Sequence, residues 1–315
     1  MSSSQHDDLF DLFKLDAVVT DNYTTHVEYR NDRVRGIRKE KIENRWYRER
    51  DIGEGAFGKV WLEVRRDTND KRAVKRVSKL LMLDYKKELL ALAKFSKDKY
   101  QQEGTFVKFF GWFEDSLNIF LAMEFLELGD LEQYITATAS ISEDEVKEIT
   151  IDVLNGLQIM HYEKFAHRDL KPSNIFVVQK PPESRWWVKI GDFGISKRAE
   201  HGITSLHTVI GTPHYMAPEI TGDLDIDEPT SVYDTAVDMW SLGCVIYKIA
   251  TQRVPFSTFK DMKKFYYGKT PFPEQLLLEK AACSVDGVRF IKKLILPNPK
   301  DRLSAPSALE QPWLS

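Results

Sequence analysis

The chain has few cysteines and no long apolar run, and both absences narrow the classes of protein to which it can belong. Its 315 residues include two cysteines, Cys244 and Cys283, so a disulfide framework is excluded and a reducing intracellular compartment, cytoplasmic or nuclear, is favoured. No run of about 18 or more apolar residues occurs, which predicts that no segment spans a membrane. The start of the chain, MSSSQHDDLF, has no cationic segment leading into an apolar one, so it is not typical of a secretory signal.

An excess of one charge sign is also missing. Lysine and arginine together number 45 against 48 aspartates and glutamates, a formal net charge of −3, so neither nucleic acid nor an anionic membrane surface is the expected partner. Hydrophobic residues make up 42% of the chain and charged residues 30%, which is ordinary for a globular protein with a substantial core. At about 100–200 residues per domain, the length predicts one large or two modest domains.

The first 45 residues are mostly polar and differ in this respect from the rest of the chain. They contain one amphipathic patch, formed by Leu9, Phe10, Leu12, Phe13 and Leu15. We expect residues 1–45 to form a flexible N-terminal extension. The alternative is a helix in this patch that docks on the folded domain. The domain itself is expected over residues 46–315.

Short strand patterns dominate the sequence after Trp46. Residues 60–64 alternate apolar side chains with Trp and Glu, which predicts a strand. Residues 72–75 and 118–123 predict two further short strands. Between them, residues 88–93 consist of good helix formers and predict a helix.

Helical patterns dominate the second half of the sequence. Ser142 and Glu145 have the spacing of a capping box. One apolar helix face follows at steps of three and four residues, and it consists of Val146, Ile149, Val153, Leu157 and Met160. The whole pattern predicts an α+β fold with a small strand-rich lobe at about 46–126 and a larger helical lobe at about 127–315. Ligands tend to bind in the cleft between such lobes.

Residues 53–60, GEGAFGKV, form a glycine-rich segment of the pattern G-x-G-x-x-G-x-V. Glycines let backbone amides approach phosphate oxygens without interference from Cβ atoms. A dinucleotide-binding unit would need a helix after the segment, whereas a strand is predicted, and a Walker A loop would need G-K-[ST], which is missing. Lys75, on the next strand, is placed to direct its ammonium group at bound phosphates. Glu88, on the predicted helix, is the best candidate for its anionic partner.

Further motifs follow in a fixed order. They are His167-Arg168-Asp169-Leu170-Lys171-Pro172-Ser173-Asn174, Asp192-Phe193-Gly194, Ala217-Pro218-Glu219 and Asp238-Met239-Trp240-Ser241-Leu242-Gly243, with Arg302 beyond them. Together with the glycine segment and Lys75, this set resembles the eukaryotic protein kinase family over about residues 46–315. The resemblance implies a protein-kinase-like bilobal fold, with one main helix in a β-rich N-lobe. It also implies a structural ion pair between Glu219 and Arg302.

The resemblance further implies ATP and Mg²⁺ as cofactors and assigns roles to individual residues. Asp169 is expected to orient the substrate hydroxyl and accept its proton, and Lys171 to counter the charge on the transferred phosphoryl group. Asn174 and Asp192 are the expected ligands of Mg²⁺, a hard cation that prefers oxygen. The ATP-binding positions are Ile52, Gly53, Gly55, Gly58, Val60, Ala73, Lys75, Glu88, Met123, Glu124, Leu126, Asp130 and Phe176.

The same segment indicates which hydroxyl is phosphorylated. Lys171, two residues after Asp169, is the serine/threonine pattern, and residues 211–219, GTPHYMAPE, follow the serine/threonine form. Protein substrates with Ser or Thr hydroxyls are therefore the implied partners. The implied substrate-binding positions are Thr212, Val209, Pro213 and Met216. Ser173 and Lys248 stand where relatives that select arginine-rich substrates often carry acids, so a strong preference for basic peptides is not expected.

An activation segment is implied between Asp192 and residues 217–219. In the family, an arginine at the position of Arg168 pairs with a phosphate on this segment and orders it. Thr208 matches the usual phosphorylation position, and Lys197 is a candidate second ligand of that phosphate. Thr204 and Ser205 are alternative sites, and a segment ordered without phosphate is the other alternative. Phosphorylation implies an upstream activating kinase as a possible partner.

Three alternative functions would each give a different sequence pattern. A pseudokinase scaffold would have lost Lys75, Asp169, Asn174 or Asp192, and all four are present. A small-molecule phosphotransferase of related fold would usually lack the Ala-Pro-Glu segment, which is also present. A tyrosine or dual-specificity kinase fits the catalytic segment less well.

Overall fold

The computed structural model describes residues 11–32, 37–55, 58–81, 85–138, 140–192, 213–221, 231–279 and 281–315. These residues divide into two compact units. The first unit contains the described residues up to 101 together with residues 107–125. The second contains residues 102–106 and the described residues from 126 onward.

The first unit is built on one antiparallel sheet, in which the described residues form seven strands. The strands are β1 (Ala17–Val19), β2 (Tyr23–Asp32), β3 (Ile37–Gly55), β4 (Gly58–Arg65), β5 (Asp70–Ser78), β6 (Phe109–Glu114) and β7 (Asn118–Glu124). Their order in the sheet is β1-β2-β3-β4-β5-β7-β6. This unit also contains a 3-10 turn (Lys79–Leu81) and the helices α1 (Tyr85–Phe95) and α2 (Asp98–Gln101). The predicted strands at 60–64, 72–75 and 118–123 and the helix at 88–93 are confirmed.

Residues 13–15 close this sheet into a barrel. They run parallel to β6 at its outer edge, where the Leu15 amide donates to the Trp112 carbonyl at 2.7 Å and the Trp112 amide donates to the Phe13 carbonyl at 2.9 Å. β1 follows at once and pairs with β2 at the opposite edge, so the chain joins the two edges. Gly111 permits this close approach, because its φ is +145° and a Cβ at this position would lie 2.6 Å from the Phe13 carbonyl oxygen.

The barrel has an apolar interior. Its cluster of buried side chains consists of Trp61, Val74, Phe113, Phe120 and Ala122. Leu15, Ala17 and Val19 pack against this cluster. Lys14, Asp16 and Val18, which alternate with them along the chain, are exposed. This alternation is that of a strand with one buried face. Burial of apolar surface therefore holds the N-terminal segment in place.

A buried polar network lies next to this cluster. Arg72 donates two hydrogen bonds to one carboxylate oxygen of Glu63, and the other oxygen accepts from Thr24 and from the Trp61 indole at 3.0 Å each. The Nη1 atom of Arg72 lies 2.8 Å from Nε2 of His26. An arginine can only donate, so this nitrogen is the acceptor and the ring is neutral. Burial and the charge of Arg72 lower the pKa of His26 to about 4.

The expectation of a flexible extension over residues 1–45 is wrong for the residues that the structure describes there. Residues 17–32 and 37–45 lie mainly in β1, β2 and the first half of β3, and β2 pairs with β3 from Tyr23 to Asp32. Of the patch that suggested a helix, residues 11 and 12 are helical, whereas residues 13–15 run along β6 and the chain from Ala17 onward lies mainly in strands. Residues 1–10, which include part of the amphipathic patch, lie outside the described residues.

The described part of the second unit is mostly helical and contains one small hairpin. Its helices are α3 (Leu131–Ala137), α4 (Glu143–Tyr162), α5 (Ser231–Thr251), α6 (Phe259–Tyr266), α7 (Gln275–Glu279), α8 (Val285–Leu294) and α9 (Ala305–Leu309). The hairpin consists of β8 (Ile175–Gln179) and β9 (Trp187–Ile190), and 3-10 turns cover Pro172–Asn174, Pro213–Tyr215, Pro218–Thr221, Pro299–Asp301 and Pro312–Leu314. Among the helices that the structure describes, none has the length and apolar character needed to cross a membrane.

Helix α4 forms as its sequence predicts. Ser142 accepts a hydrogen bond from the Glu145 amide, and the Glu145 carboxylate accepts one from the Ser142 amide at 2.9 Å, which confirms the capping box. All five residues of the predicted apolar face are buried. The helix therefore presents its apolar face to the core and its cap to solvent.

The segment between β8 and β9 is anchored by Trp186, a role that the sequence did not reveal. This side chain is fully buried. Its backbone amide donates to the Glu148 carboxylate at 2.8 Å and its indole N–H donates to Glu145 at 3.2 Å. Its ring meets Tyr134 edge to face at 4.8 Å. The segment is thus fixed to both α3 and α4.

Candidate active site

Four predicted ATP-binding residues share one face of the first unit's sheet. The registers pair Val60 with Lys75 and Ala73 with Met123 across β4, β5 and β7. Directly opposed residues of antiparallel strands point to the same side, so these four side chains lie on one face, opposite to the barrel interior. Glu124 follows Met123 and ends β7. The sheet therefore brings together residues that the resemblance assigned to ATP binding.

The glycine-rich segment forms the tip of the β3–β4 hairpin. Gly53 pairs with Val60 and Gly55 with Gly58, so a strand follows the segment, as the sequence predicts. Ile52 precedes it in β3 and is half-buried. Gly58 has a φ of +148°, and a Cβ on it would lie 1.7 Å from the carbonyl oxygen of Arg76. Only glycine fits this position without moving β5.

Lys75 is buried and its side chain is 8% exposed. A buried ammonium needs partners, because desolvation disfavours the charged form. Glu88, its predicted partner, is a residue of α1, but its side chain lies outside the described part of the structure. The ion pair between Lys75 and Glu88 therefore stays a prediction.

The remaining predicted nucleotide positions lie in the second unit. The Leu126 carbonyl accepts a hydrogen bond from the Gly129 amide at 3.1 Å. Asp130 caps α3 by accepting from the Gln133 amide at 2.9 Å and from the Gln133 side chain at 2.7 Å. Burial raises the pKa of Asp130, and these hydrogen bonds oppose the rise. An isolated antiparallel bridge joins Asp130 to Phe176, so these two residues lie side by side.

The three predicted catalytic residues meet at the Asp169 carboxylate. Its Oδ2 atom lies 3.1 Å from Nζ of Lys171 and accepts a hydrogen bond from Nδ2 of Asn174 at 3.2 Å. Nδ2 of Asn174 also donates to the Asp169 backbone carbonyl at 2.7 Å. The turn Pro172–Asn174 creates this arrangement by returning the chain toward Asp169. Two donors thus fix one carboxylate oxygen, and one of them carries a positive charge.

Backbone hydrogen bonds place Asp192 beside this group. The Gly191 amide donates to the Asn174 carbonyl at 3.0 Å, and the Gly191 carbonyl lies 3.0 Å from Nε2 of His167. Nδ1 of His167 in turn accepts from the Asp169 amide at 3.2 Å, so the His167 proton belongs on Nε2. Asp192 follows Gly191 with a φ of +54°. This left-handed backbone costs free energy, which is typical of residues held for function.

Asp238 holds the catalytic segment, a role that the sequence analysis did not assign. Its fully buried carboxylate accepts hydrogen bonds from the amides of His167 and Arg168 at 2.8 Å each and lies 2.9 Å from Nε2 of His161. Burial alone raises the pKa of Asp238, but the hydrogen bond and charge of His161 more than offset it, so the pKa lies below its ordinary value. Arg168 has a φ of +63°. Asp238 therefore fixes a strained turn immediately before Asp169.

The donor set suits Mg²⁺. The NH₂ group of Asn174 faces two oxygen acceptors on Asp169, so its Oδ1 atom is the one directed elsewhere. An amide oxygen and the Asp192 carboxylate are the hard ligands that Mg²⁺ prefers. Within the described residues, no group of three or more His, Cys, Asp or Glu side chains is arranged to hold a metal.

The predicted ion pair between Glu219 and Arg302 is confirmed. Two hydrogen bonds, of 2.5 and 2.9 Å, join the guanidinium to the carboxylate, and the Arg302 side chain is fully buried. Arg302 also donates to the carbonyls of Leu296 and Ala236. The pair ties the turn Pro218–Thr221 to the helical core.

Much of the predicted activation segment lies outside the described residues. These residues are Lys197, Thr204, Ser205, Thr208, Val209 and Thr212. Pro213 begins a 3-10 turn, although its side chain is not described, and Met216 is half-buried. The predicted phosphorylation site and substrate pocket therefore stay predictions.

Comparison with known proteins gives the same assignment. A family profile described as protein kinase domain matches residues 46–314. The serine/threonine-protein kinase RAD53 of Saccharomyces cerevisiae is 32% identical over 279 residues, which cover 84% of this chain and 32% of that protein. The serine/threonine-protein kinase cds1 of Schizosaccharomyces pombe is 32% identical over 269 residues, covering 84% of this chain and 57% of that protein. The chain thus spans 32% of the length of the first relative and 57% of the length of the second.

A solved structure agrees with the sequence relatives. The crystal structure of Rad53 residues 1–466 in complex with AMP-PNP is similar to this chain with a TM-score of 0.69 and 32% sequence identity. The similarity covers 85% of this chain and 64% of that one. The fold is therefore that of a protein kinase domain, with a β-rich N-terminal part and a helical C-terminal part. The chain belongs to the eukaryotic protein kinase family and carries a kinase domain of the serine/threonine type.

Proposed function

We propose that the protein is a protein kinase that transfers the γ-phosphoryl group of ATP to Ser or Thr hydroxyls of protein substrates. The observation that carries this proposal is the Asp169 carboxylate, whose Oδ2 atom lies within 3.2 Å of both Lys171 Nζ and Asn174 Nδ2. All three side chains lie in the segment that phosphoryl transfer requires. The family relationship and the serine/threonine-protein kinase names of the relatives support the substrate class.

In this mechanism the chain positions groups more than it reacts with them. Asp169 orients the substrate hydroxyl through its carboxylate and accepts the hydroxyl proton as the phosphorus–oxygen bond forms. Lys171 lies beside Asp169 and counters the negative charge on the transferred phosphoryl oxygens. His167 and Asp238 hold the backbone on either side of Arg168, which keeps Asp169 in place.

ATP binding is proposed from residues of each unit. In the first unit, Val60, Ala73 and Met123 offer an apolar strand face to adenine, and Lys75 on the same face offers its ammonium to the α- and β-phosphates. In the second unit, Asn174 Oδ1 and the Asp192 carboxylate would hold Mg²⁺. When bound, the cation neutralises charge on the phosphates. The AMP-PNP complex of the Rad53 structure supports ATP as the nucleotide.

The activity is tested with labelled ATP, Mg²⁺ and an array of Ser, Thr and Tyr peptides. Asp169→Asn removes the proton acceptor and is expected to lower transfer by a factor of about 10²–10⁴. Asp144→Asn is the matched control, since the Asp144 side chain is 91% exposed at the start of α4. Incorporation into Ser and Thr peptides that only Asp169→Asn abolishes supports the proposal. A folded wild-type protein that binds ATP without transferring phosphate would favour the scaffold function.

Regulation by phosphorylation of Thr208 is proposed as part of this function. A phosphate there would offer oxygen acceptors to Arg168 and Lys197 and would order the activation segment. The expected result is that phosphatase treatment lowers wild-type activity and that Thr208→Ala is weakly active before and after treatment. Thr204→Ala and Ser205→Ala serve as controls. Full activity of Thr208→Ala would contradict the assignment.

An intracellular location, cytoplasmic or nuclear, is also proposed. ATP as a substrate requires access to the cell's nucleotide pool. Both Cys244 and Cys283 are free and buried, as suits a reducing compartment. Fractionation of cells that express the tagged protein, with intracellular and secreted markers, tests this location.

A further inference from the structure

A pocket of about 650 Å³ opens in the second unit beside the catalytic segment. Its walls come from α3, the catalytic turn, the segment after the activation segment, and the C-terminal end of α5 with the loop beyond it. The lining residues are Glu132, Lys171, Pro172, Ser173, His214, Tyr215, Lys248, Gln252, Arg253, Val254 and Ser257.

The lining carries an excess of positive charge. Among the lining residues, Lys171, Lys248 and Arg253 are positively charged and Glu132 carries a carboxylate, while Lys171 also pairs with Asp169 at 3.1 Å. Glu132 lies 3.6 Å from the Lys248 ammonium, which is longer than a normal hydrogen bond. Arg253 is an exposed residue. Among the residues that the structure describes, none forms a hydrogen bond or an ion pair with its guanidinium group. The surplus charge of the pocket is thus centred on Arg253 and Lys248.

The solvent exposure of the charged side chains determines how strongly they attract an anion in the pocket. The side chains of Lys171 and Lys248 are 23% and 20% exposed, so water screens them less than it screens a fully exposed lysine. Tyr215 contributes a largely buried ring to the wall, and burial together with the charge of Glu132 raises the pKa of its hydroxyl. That hydroxyl stays protonated and can donate to an anion.

The pocket adjoins the proposed point of phosphoryl transfer. Lys171 lines it and at the same time lies 3.1 Å from Asp169. A peptide whose hydroxyl lies at Asp169 would therefore place a residue close to its acceptor in this pocket. A cationic side chain there would meet Lys248 and Arg253, and like charges brought together at an interface are strongly disfavoured.

We propose that this pocket binds an anionic side chain of the protein substrate, located within a few residues of the phosphorylated Ser or Thr. The anion is the carboxylate of Asp or Glu, or the phosphate of a previously phosphorylated residue. Arg253 and Lys248 are the residues that select it, and His214 and Ser257 complete the polar lining. The proposal rests on the proposed kinase activity and adds a substrate class to it.

The test measures kcat/KM for peptides that share one acceptor and differ at a single flanking position. Each position is filled in turn by Glu, by the isosteric neutral Gln, by Lys or by phosphoserine. At one or more positions, Glu is expected to exceed Gln by about fivefold, the ratio that corresponds to a well-placed partly exposed ion pair. Phosphoserine above Glu identifies phosphate as the better ligand, whereas phosphoserine equal to or below Glu identifies carboxylate.

Variants that reverse or remove one positive charge in the pocket provide the matched comparison. Arg253→Glu and, separately, Lys248→Gln are expected to remove the preference for Glu over Gln. Lys260→Glu changes the net charge as much as Arg253→Glu does but lies at an exposed position of α6 outside the pocket, so it should keep the preference. Raising the ionic strength should also reduce the preference in the wild type.

The outcomes separate this inference from the proposed function. Transfer to peptides with no preference for an anion, or with a preference that Arg253→Glu and Lys248→Gln leave intact, overturns the pocket assignment and leaves the kinase activity standing. Absence of transfer to any peptide, with ATP still bound, overturns both.

Discussion

The guanidinium of Arg72 and the carboxylate of Glu63 form an ion pair inside the N-terminal barrel, with nitrogen–oxygen distances of 2.8 and 2.6 Å and side chains at most 3% exposed. Burial lowers the pKa of Arg72, and Glu63 opposes this by favouring the charged form. Arg72 immediately precedes Ala73 and lies three residues before Lys75 on β5. The barrel interior and the proposed nucleotide face are therefore two sides of the same strand.

Removing the charge of Glu63 is expected to destabilise the first unit. Glu63→Gln leaves the buried guanidinium without a counter-charge, and breaking such a pair typically costs about 3–5 kcal/mol of unfolding free energy. Urea unfolding and hydrogen exchange of peptides from β4 and β5 measure the loss. Asp67→Asn is the control, since Asp67 forms a similar pair of hydrogen bonds with Arg65 at the surface. Equal unfolding curves for the two variants would show that the buried pair contributes no more than a surface pair.

Deleting residues 1–45 is expected to destabilise the kinase domain, although the family match begins at residue 46. The deletion removes β1, β2 and the start of β3, and exposes the cluster around Trp61. Loss of Leu15 and Val19 alone removes up to about 1.5–3 kcal/mol for each side chain. The expected result is a lower midpoint of thermal unfolding and lower kinase activity.

Deleting residues 1–10 is the control for this experiment. This shorter chain keeps every barrel residue that the structure describes, so the difference between the two deletions measures the contribution of residues 11–45. If the chain that starts at residue 46 kept the wild-type midpoint of thermal unfolding, the deleted strands would contribute nothing to stability.

His26 is expected to make the stability of the first unit depend on pH. Its pKa is about 4 in the folded protein against 6.5 for an ordinary histidine, so the unfolded chain binds the proton more readily. The stabilisation is fully present above pH 6.5 and is lost as the pH falls from 6.5 toward 4, to a limit of about 3 kcal/mol. Urea unfolding at a series of pH values measures the slope. His26→Gln cannot take up this proton, so its slope in this range should be smaller; an unchanged slope would assign the dependence to other groups.

Local patterns predicted much of the fold, because they report interactions between near neighbours in the chain. Alternation at residues 60–64 and 118–123 indicated strands, and the Ser142–Glu145 spacing indicated a helix start. The closure of the barrel was not predictable in this way, since the partner of Leu15 is Trp112 on β6. The half-buried residues Phe13, Leu15, Ala17 and Val19 do alternate with exposed ones. The patch at residues 9–15 also fits one face of a helix, however, and periodicity alone does not decide between a strand and a helix.

In the candidate site, too, contacts between near neighbours in the chain were predictable and long-range contacts were not. Asp169, Lys171 and Asn174 lie within one short segment, so their motif predicted both identity and proximity. Asp238 accepts a hydrogen bond from the amide of His167, 71 residues away, and a sequence motif names such a residue without showing what it holds. The anchoring of Trp186 on α3 and α4 depends on contacts of this long-range kind as well.

Asp238 is expected to act as a positioning residue. Asp238→Ala leaves the amides of His167 and Arg168 without their acceptor, and a shift of about 1 Å at the reacting groups can lower the rate about 100-fold. The expected pattern is a large fall in kcat with little change in the KM for ATP. Asp238→Asn keeps one acceptor oxygen and should recover part of the activity. An equal fall in both variants together with loss of the folded state would indicate a purely structural role.

Two variants of Asn174 distinguish its proposed role in binding Mg²⁺ from its role in positioning Asp169. Asn174→Asp keeps an oxygen for Mg²⁺ but loses both hydrogen bonds to Asp169 and places a second negative charge beside it. Asn174→Ala loses the oxygen and the hydrogen bonds together. If Asn174 Oδ1 binds Mg²⁺, the concentration of Mg²⁺ needed for ATP binding rises in Asn174→Ala and not in Asn174→Asp, because a carboxylate is also a good ligand. Both variants lose phosphoryl transfer, since neither fixes Asp169, and a nucleotide-binding titration against Mg²⁺ separates the two effects. An equal Mg²⁺ requirement in Asn174→Ala and the wild type would leave Asn174 with the positioning role alone.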